Sequence, residues 1–263
     1  IIKNRIKKFL NKVGIEVNRY EAAKAFPWEA DQEEIDLIEE LMALNSNNKI
    51  KERLTMCSIK RLWAAISATK YVIRSEIEGD IVECGIWRGG CSIAIAKTIK
   101  RLDSKKKIIL YDTFAGMTRP TNEDIKAKNG NSASKKFYNL NRDGYNKWCY
   151  ASIDEVKSSF KKYGVYDIAS FRKGDISIIL KNNQDKIPSK ISLLRLDTDW
   201  YESTKDEMKY LYPKLSRNGI LLVDDYGSWA GARKAVDEYF SNMNSSIPLQ
   251  WVTDYTGRGY VKI

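Results

Sequence analysis

An α/β fold built on a parallel sheet is what this chain of 263 residues predicts, and three stretches carry that expectation. In residues 191–226, two apolar runs, 191–196 and 220–223, each end in a pair of acids: Asp197 with Asp199, and Asp224 with Asp225. The helix-like segment between them is closed by Asn218-Gly219, a common helix stop. Residues 80–90 read as an apolar strand running into a Gly-containing turn, and residues 107–111 as a strand ending in Asp112. A strand–helix–strand crossover is right-handed and sets its strands parallel, so both acidic pairs emerge at one carboxyl edge of the sheet. Open α/β sheets bind their ligands at that edge. Carboxylates converging there repel one another unless a cation sits among them, and a hard divalent ion with oxygen ligands suits the site.

The elements follow in order. Residues 1–20 place Ile2, Ile6, Phe9 and Leu10 on one helical face with Lys and Arg opposite. That face suits docking on the chain's own domain or on a second subunit, with contact to a membrane surface as the other reading. Pro27-Trp28 breaks the chain, and residues 31–44 form an acid-started amphipathic helix. A polar linker at 45–48 leads to a helix over 55–74 with Ile59, Leu62, Trp63, Ile66 and Tyr71 as its buried stripe. Residues 1–54 are thus expected as a helical cap and oligomerisation segment, and residues 55–263 as the main domain.

The main domain opens with the strand at 80–84, the turn from Gly85 to Gly90 and a helix over 92–99. Glycines let a backbone approach a ligand closely, and the helix N-terminus beyond them suits a carboxylate. The turn is not G-x-G-x-x-G. An acid on the first strand, Glu83, would repel a pyrophosphate but welcome a cationic amino-acid group. Asp112 stands where nucleotide-binding sheets carry an acid for ribose hydroxyls. Glu83, Gly85 and Asp112 together point to S-adenosylmethionine over NAD. Residues 114–146 are polar and without periodicity, and a lid-like insertion is expected at about 117–150. Ser152 opens a helix to Tyr163, a short strand over 169–172 precedes Gly174-Asp175, and Asp175 either contacts an adenine amine or caps the next turn. A helix over 230–242 and an antiparallel hairpin from 249–253 and 259–263 complete the chain.

Composition removes several function classes. There is no histidine, so Ser-His-Asp hydrolysis, His-based zinc sites and histidine phosphoryl transfer are excluded, and a carboxylate, Lys, Tyr, Cys or metal-bound hydroxyl must act as base. The net charge of +11 comes from Lys and Arg spread along the chain, without a nucleic-acid-binding motif, which favours a solvated basic surface over a nucleic-acid partner. No apolar run approaches the roughly 20 residues that span a bilayer. Four cysteines without metal-ligand spacing read as reduced thiols, the usage of a cytoplasmic protein.

The motifs resemble those of one family, the bacterial macrocin O-methyltransferases. They are Val82-Glu83-Cys84-Gly85 with Trp87-Arg88-Gly89-Gly90, LYDTFAGM at 110–117, LLRLDTDWYEST at 193–204 and VDDYGSWAGARKAVDEYF at 223–240. The resemblance implies a class I methyltransferase Rossmann-like fold, a mainly parallel seven-stranded sheet with a C-terminal antiparallel hairpin, using S-adenosylmethionine and Mg²⁺ to methylate a hydroxyl of a sugar or glycoconjugate. It implies Asp197, Asp224 and Asp225 as metal ligands, Asp197 also as general base, and Thr55, Glu83, Gly85, Asp112 and Asp175 as cofactor-binding residues. Asp199 reads as a cap or as a residue supporting the metal ligands from behind, and Trp87 and Trp229 as either core or pocket wall. A homo-oligomer is expected from the N-terminal segment. The competing readings are a catechol-like acceptor, a non-catalytic module that retains the fold, and a basic nucleic-acid binder.

Overall fold

The computed structural model describes residues 26–44, 53–182, 187–243 and 248–263. The amphipathic segment 1–20 and the linker 45–48 lie outside the described residues. Nine strands and eight α-helices follow in chain order among the described residues: α1 (Gln32–Leu41), α2 (Ile59–Arg74), β1 (Asp80–Cys84), α3 (Gly90–Arg101), β2 (Ile108–Asp112), α4 (Ser134–Leu140), β3 (Asn141–Arg142), β4 (Tyr145–Asn146), α5 (Ile153–Lys162), β5 (Ala169–Lys173), α6 (Ile176–Asn182), β6 (Ile191–Leu196), α7 (Tyr201–Tyr210), β7 (Leu215–Val223), α8 (Ala230–Ser241), β8 (Leu249–Val252) and β9 (Arg258–Val261).

Seven strands form one sheet in the order β5-β2-β1-β6-β7-β9-β8. The first five are parallel, and β9 runs antiparallel to both β7 and β8. Period-two alternation sorts the side chains into two apolar layers. Ile81, Leu193 and Leu222 pack with Leu62 and Ile66 of α2 and with Ile93 and Ile99 of α3 on one face. Val82, Leu194 and Leu221 pack with Leu180 of α6, Met208 of α7 and Val236 of α8 on the other. All six residues of β6 are buried, as expected of a central parallel strand covered on both faces. Each fully buried aliphatic side chain contributes about 1.5–3 kcal/mol of transfer free energy.

Helix α1 shares this core through Ile38 and Leu41. Its N-cap, Asp31, forms a reciprocal capping box with Glu34, and both carboxylates reach across to neighbours: Glu34 pairs with Lys70, and Asp31 receives Arg101 at 2.5 Å. Ser152 caps α5, accepting from the Glu155 backbone N–H at 3.2 Å.

Two expectations need correction. Asn218-Gly219 does not stop a helix: α7 ends at Tyr210, a 3₁₀ turn spans Tyr212–Lys214, and Asn218-Gly219 lies inside β7. Asn218 adopts φ 62° there, and the pairing register with β6 shifts between Ile191 and Leu193. The left-handed residue thus serves a strand irregularity. The insertion, expected to lack regular structure, contains α4 and the small β3–β4 hairpin.

A buried carboxylate stitches that insertion to the sheet domain. Asp124, fully buried, accepts from the Thr121 backbone N–H at 2.6 Å and from the Tyr201 backbone N–H at the start of α7 at 2.8 Å. A Cβ on Gly231 would lie 2.3 Å from its Oδ1, so α8 approaches through a glycine.

Candidate active site

The strand order reverses between β1 and β6, and a cavity opens at the carboxyl ends of these two strands, the switch point where doubly wound sheets bind ligands. Thr55, Glu83, Gly85, Asp112, Asp175, Asp197, Asp224 and Asp225 all line it. The sequence-predicted residues are thus gathered into one place.

Gly85 lets the two strand ends meet. It adopts φ +78°, and a Cβ would lie 2.1 Å from the Asp197 carbonyl oxygen, so no L side chain fits. Asp112 secures the turn beyond it: Oδ2 accepts from the backbone N–H groups of Ile86 at 2.8 Å and Trp87 at 3.1 Å, and Oδ1 accepts from Phe114 at 2.7 Å. Burial raises the Asp112 pKa against these bonds. A fourth, long contact comes from the Thr113 hydroxyl to Oδ1 at 3.5 Å, the weakest of the set and the one a ligand hydroxyl would displace. Asp175 accepts from the Ser177 backbone N–H at 2.8 Å, the capping role named in its second reading. Thr55 is buried, and its hydroxyl accepts from the Cys57 backbone N–H at 3.0 Å.

A residue that sequence reasoning did not single out, Arg195, dominates the floor. It is 2% exposed. Its Nη1 lies 2.5 Å from Glu83 and 2.9 Å from Asp197 Oδ2, and its Nη2 lies 2.5 Å from Asp224 Oδ1 and 3.1 Å from Cys57 Sγ. Glu83 was expected to face a cationic ligand; the cation it already faces is Arg195, and its second oxygen accepts from the Ser92 hydroxyl. Burial still pushes the Glu83 pKa up. Arg61 adds a second guanidinium: it pairs with Asp224 Oδ2 and reaches Asp254 at 3.0 Å. Both oxygens of Asp224 are therefore matched by arginine.

The remaining acids are not so matched. Asp225 is buried, and its Oδ2 has no hydrogen-bond partner. Burial, with Asp199 and Asp224 close by, raises its pKa well above the usual carboxylate range. Asp197 is raised in the same way by burial, against the pull of Arg195 and with the push of Asp224 and Asp225. Asp199, read from sequence as a cap, belongs to this group: it lines the cavity, sits at φ 67°, and is pushed to about 6 by burial. A non-glycine residue in that region is a strained position. Acids facing acids around an unpartnered buried oxygen have the donor chemistry of a hard-cation site. Cys57, Asp197 and Asp224 can also bring one ligand atom each within 4.8 Å of one another, but a thiol suits softer metals than the surrounding carboxylates do.

The outer wall is aromatic. Trp148, Trp200 and Trp229 form one cluster, with Trp148 and Trp229 centroids 5.9 Å apart. Trp87 and Trp229 both line the cavity while also packing into the apolar core, Trp229 at 3% exposure, so each carries features of both readings. Trp148 comes from the insertion, whose long-range position the sequence pattern does not disclose.

The family model for macrocin O-methyltransferase (TylF) matches residues 20–262. Demethyldecarbamoylnovobiocin O-methyltransferase of Streptomyces niveus is 31% identical over 190 residues, covering 70% of this chain and 67% of that protein. Mycinamicin III 3''-O-methyltransferase of Micromonospora griseorubida is 28% identical over 192 residues, covering 70% and 69%. Among solved structures, the O-methyltransferase NovP superposes with a TM-score of 0.73 at 25% identity, over 88% of this chain and 98% of that one. An O-methyltransferase from Bacillus cereus in complex with SAH superposes at 0.52 with 13% identity, over 100% of both chains, a likeness of fold alone. With a class I sheet order, acids gathered at its switch point and a family match over nearly its whole length, this chain belongs to the macrocin O-methyltransferase family.

Proposed function

We propose that this O-methyltransferase moves the methyl group of S-adenosylmethionine to a hydroxyl of a sugar or glycoconjugate, with Mg²⁺ held by the acid cluster. The observation that carries this reading is the unpartnered, buried Asp225 oxygen among Asp197, Asp199 and Asp224, beside a glycine-lined cavity at the switch point. Asp197 and Asp225 would hold the cation, joined by Asp224 if Arg61 or Arg195 yields an oxygen. The relatives named for novobiocin and mycinamicin O-methylation support the hydroxyl acceptor.

Thr55, Gly85, Asp112 and Asp175 would hold the donor, with Glu83, engaged by Arg195 and Ser92, supporting the floor beneath it: Gly85 and the Asp112-pinned turn provide close backbone approach, and Asp112 would meet a ribose hydroxyl. When bound, donor and cation supply an electrophilic methyl group and a Lewis acid that eases ionisation of a chelated hydroxyl. Asp197 accepts the hydroxyl proton. Arg195 occupies its Oδ2 at 2.9 Å, which leaves Oδ1 for that role. With the donor bound, an oxygen–carbon bond would replace its sulfur–carbon bond, and the wall of Trp148 and Trp229 would shield that place from water. A vicinal diphenol would also satisfy the chelation and the aromatic wall, and it belongs in the acceptor screen. The segment 1–20 is assigned to subunit contact, and removing it should lower the mass seen in sedimentation.

The test is methyl transfer from labelled S-adenosylmethionine to a panel of glycosides and diphenols, with Mg²⁺ and with chelator. Turnover should require the cation. Asp197→Asn should abolish transfer while S-adenosylhomocysteine affinity is kept; normal turnover in that variant would sink the assignment.

A further inference from the structure

The acceptor wall carries two ammonium groups that close on no carboxylate. Lys126 Nζ lies 3.6 Å from the centroid of the Trp229 ring, and Lys136 Nζ lies 3.8 Å from that of Trp148. Both lysines line the same cavity as Asp199 and Asp225. Had they served only to neutralise those acids, each would sit on one in a salt bridge; among the described residues neither does. They stand instead over indole faces, which hold a cation while leaving its N–H donors free.

Their placement is built into the fold. Lys126 forms an isolated antiparallel bridge with Trp229, its N–H donates to Asn131 O at 2.9 Å, and the next residue, Ala127, donates to Ser228 O at 3.0 Å. Lys136 projects from α4, whose following residue, Phe137, is buried. The two ammonium groups also oppose each other: burial lowers the Lys136 pKa and Lys126 lowers it too, against the pull of Cys149 and Asp199. Both lysines keep solvent exposure at the mouth of the cavity, and a like-charged pair there is stabilised by an anion between its members, as the acid cluster opposite is by a cation.

We infer that the acceptor is an anionic sugar, its ring on the Trp148–Trp229 wall, a hydroxyl toward Asp197, and a carboxylate or phosphate group between Lys126 and Lys136. This rests on the methyl-transfer reading above and narrows its acceptor. Two charge-assisted contacts of this kind give about tenfold or more in affinity over a neutral analogue.

The experiment is calorimetry on the full chain. S-adenosylhomocysteine is titrated first; no binding there overturns the methyl-transfer reading itself. The protein loaded with S-adenosylhomocysteine and Mg²⁺ then receives a neutral methyl hexoside, a hexuronate, a hexose 1-phosphate and a nucleoside diphosphate hexose. At least one charged probe should bind about tenfold or more tighter than the neutral one, and which does so tells a carboxylate from a phosphate or diphosphate source. In the double variant Lys126→Met, Lys136→Met, that advantage should vanish with S-adenosylhomocysteine affinity unchanged. Failure of every charged probe to outbind the neutral one, including no binding by any, overturns the inference. So does an advantage that survives the double variant.

Discussion

Arg195 sets how the cavity's acids divide. Through one guanidinium it compensates Glu83 and Asp224 and steadies Asp197. Truncating one partner of a buried ion pair costs about 3–5 kcal/mol, because the other charges stay buried; Arg195→Met should lower unfolding free energy on that scale in urea titration. Asp225→Asn should do the reverse. It removes a carboxylate from a like-charged buried group, so the metal-free variant should gain stability in the same titration, and lose the rise in melting temperature expected of the parent with Mg²⁺. Asp199 supplies the pH dependence. Its pKa of about 6 in the fold stands above an unfolded value of about 3.9. The folded chain therefore holds this proton more tightly, and metal-free stability falls as pH rises from about 4 to about 6. Cation binding at the proposed site needs Asp197 and Asp225 ionised as well, and burial raises both of these above the usual carboxylate range, so it strengthens as pH rises. The Mg²⁺-induced melting shift should be nearly absent near pH 5 and grow with rising pH; a shift independent of pH would count against the cluster as the cation site.

At the level of elements, most of the sheet was legible because its strands obey simple rules. The runs at 80–84, 107–111 and 191–196 are mostly apolar, as strands covered on both faces tend to be, and each ends at an acid or glycine that the structure puts at the carboxyl edge. Asn218-Gly219 misled because its left-handed backbone is shared by helix stops and strand irregularities, and only the pairing partner tells them apart. Arg195 was illegible for a different reason: a charge inside LLRLD reads as an edge residue until four partners close round it. Asp199 was discounted because a strand-end acid before a helix usually caps. Gly85 marks where the sheet tolerates least. Gly85→Ala combines positive φ with a 2.1 Å approach to the Asp197 carbonyl, so it should cost about 2 kcal/mol or more and abolish S-adenosylhomocysteine binding, both readable in one melting series with and without ligand.

Over the whole molecule, the site is tied to distant parts of the chain. Arg61 of α2 joins Asp224 to Asp254 in the turn of the C-terminal hairpin, and Asp254 accepts from the Ser58 hydroxyl at 2.7 Å. Burial would raise the Asp254 pKa, but bonds from the Gly257 N–H, Ser58 and the Thr256 N–H, with Arg61, bring it below the usual value. A depressed acid stabilises the fold above its unfolded pKa and loses that contribution as pH falls through the folded one. Asp254→Asn should therefore flatten the acid limb of the melting profile below about pH 4. The three-dimensional neighbourhood of the insertion was the least legible, since its contacts span the chain: Asp124 meets Tyr201, and Lys126 meets Trp229. Yet that attachment is economical. The carboxylates proposed to react come from the strand ends, while Trp148, Lys126 and Lys136 come from the insertion, and Asp124 with its backbone donors and the Gly231 gap forms the seam. Such a seam makes residues 117–150 a cassette: grafted from a relative that keeps an aspartate and a glycine at these two places, it would exchange the choice of acceptor while the transfer chemistry stays in the host.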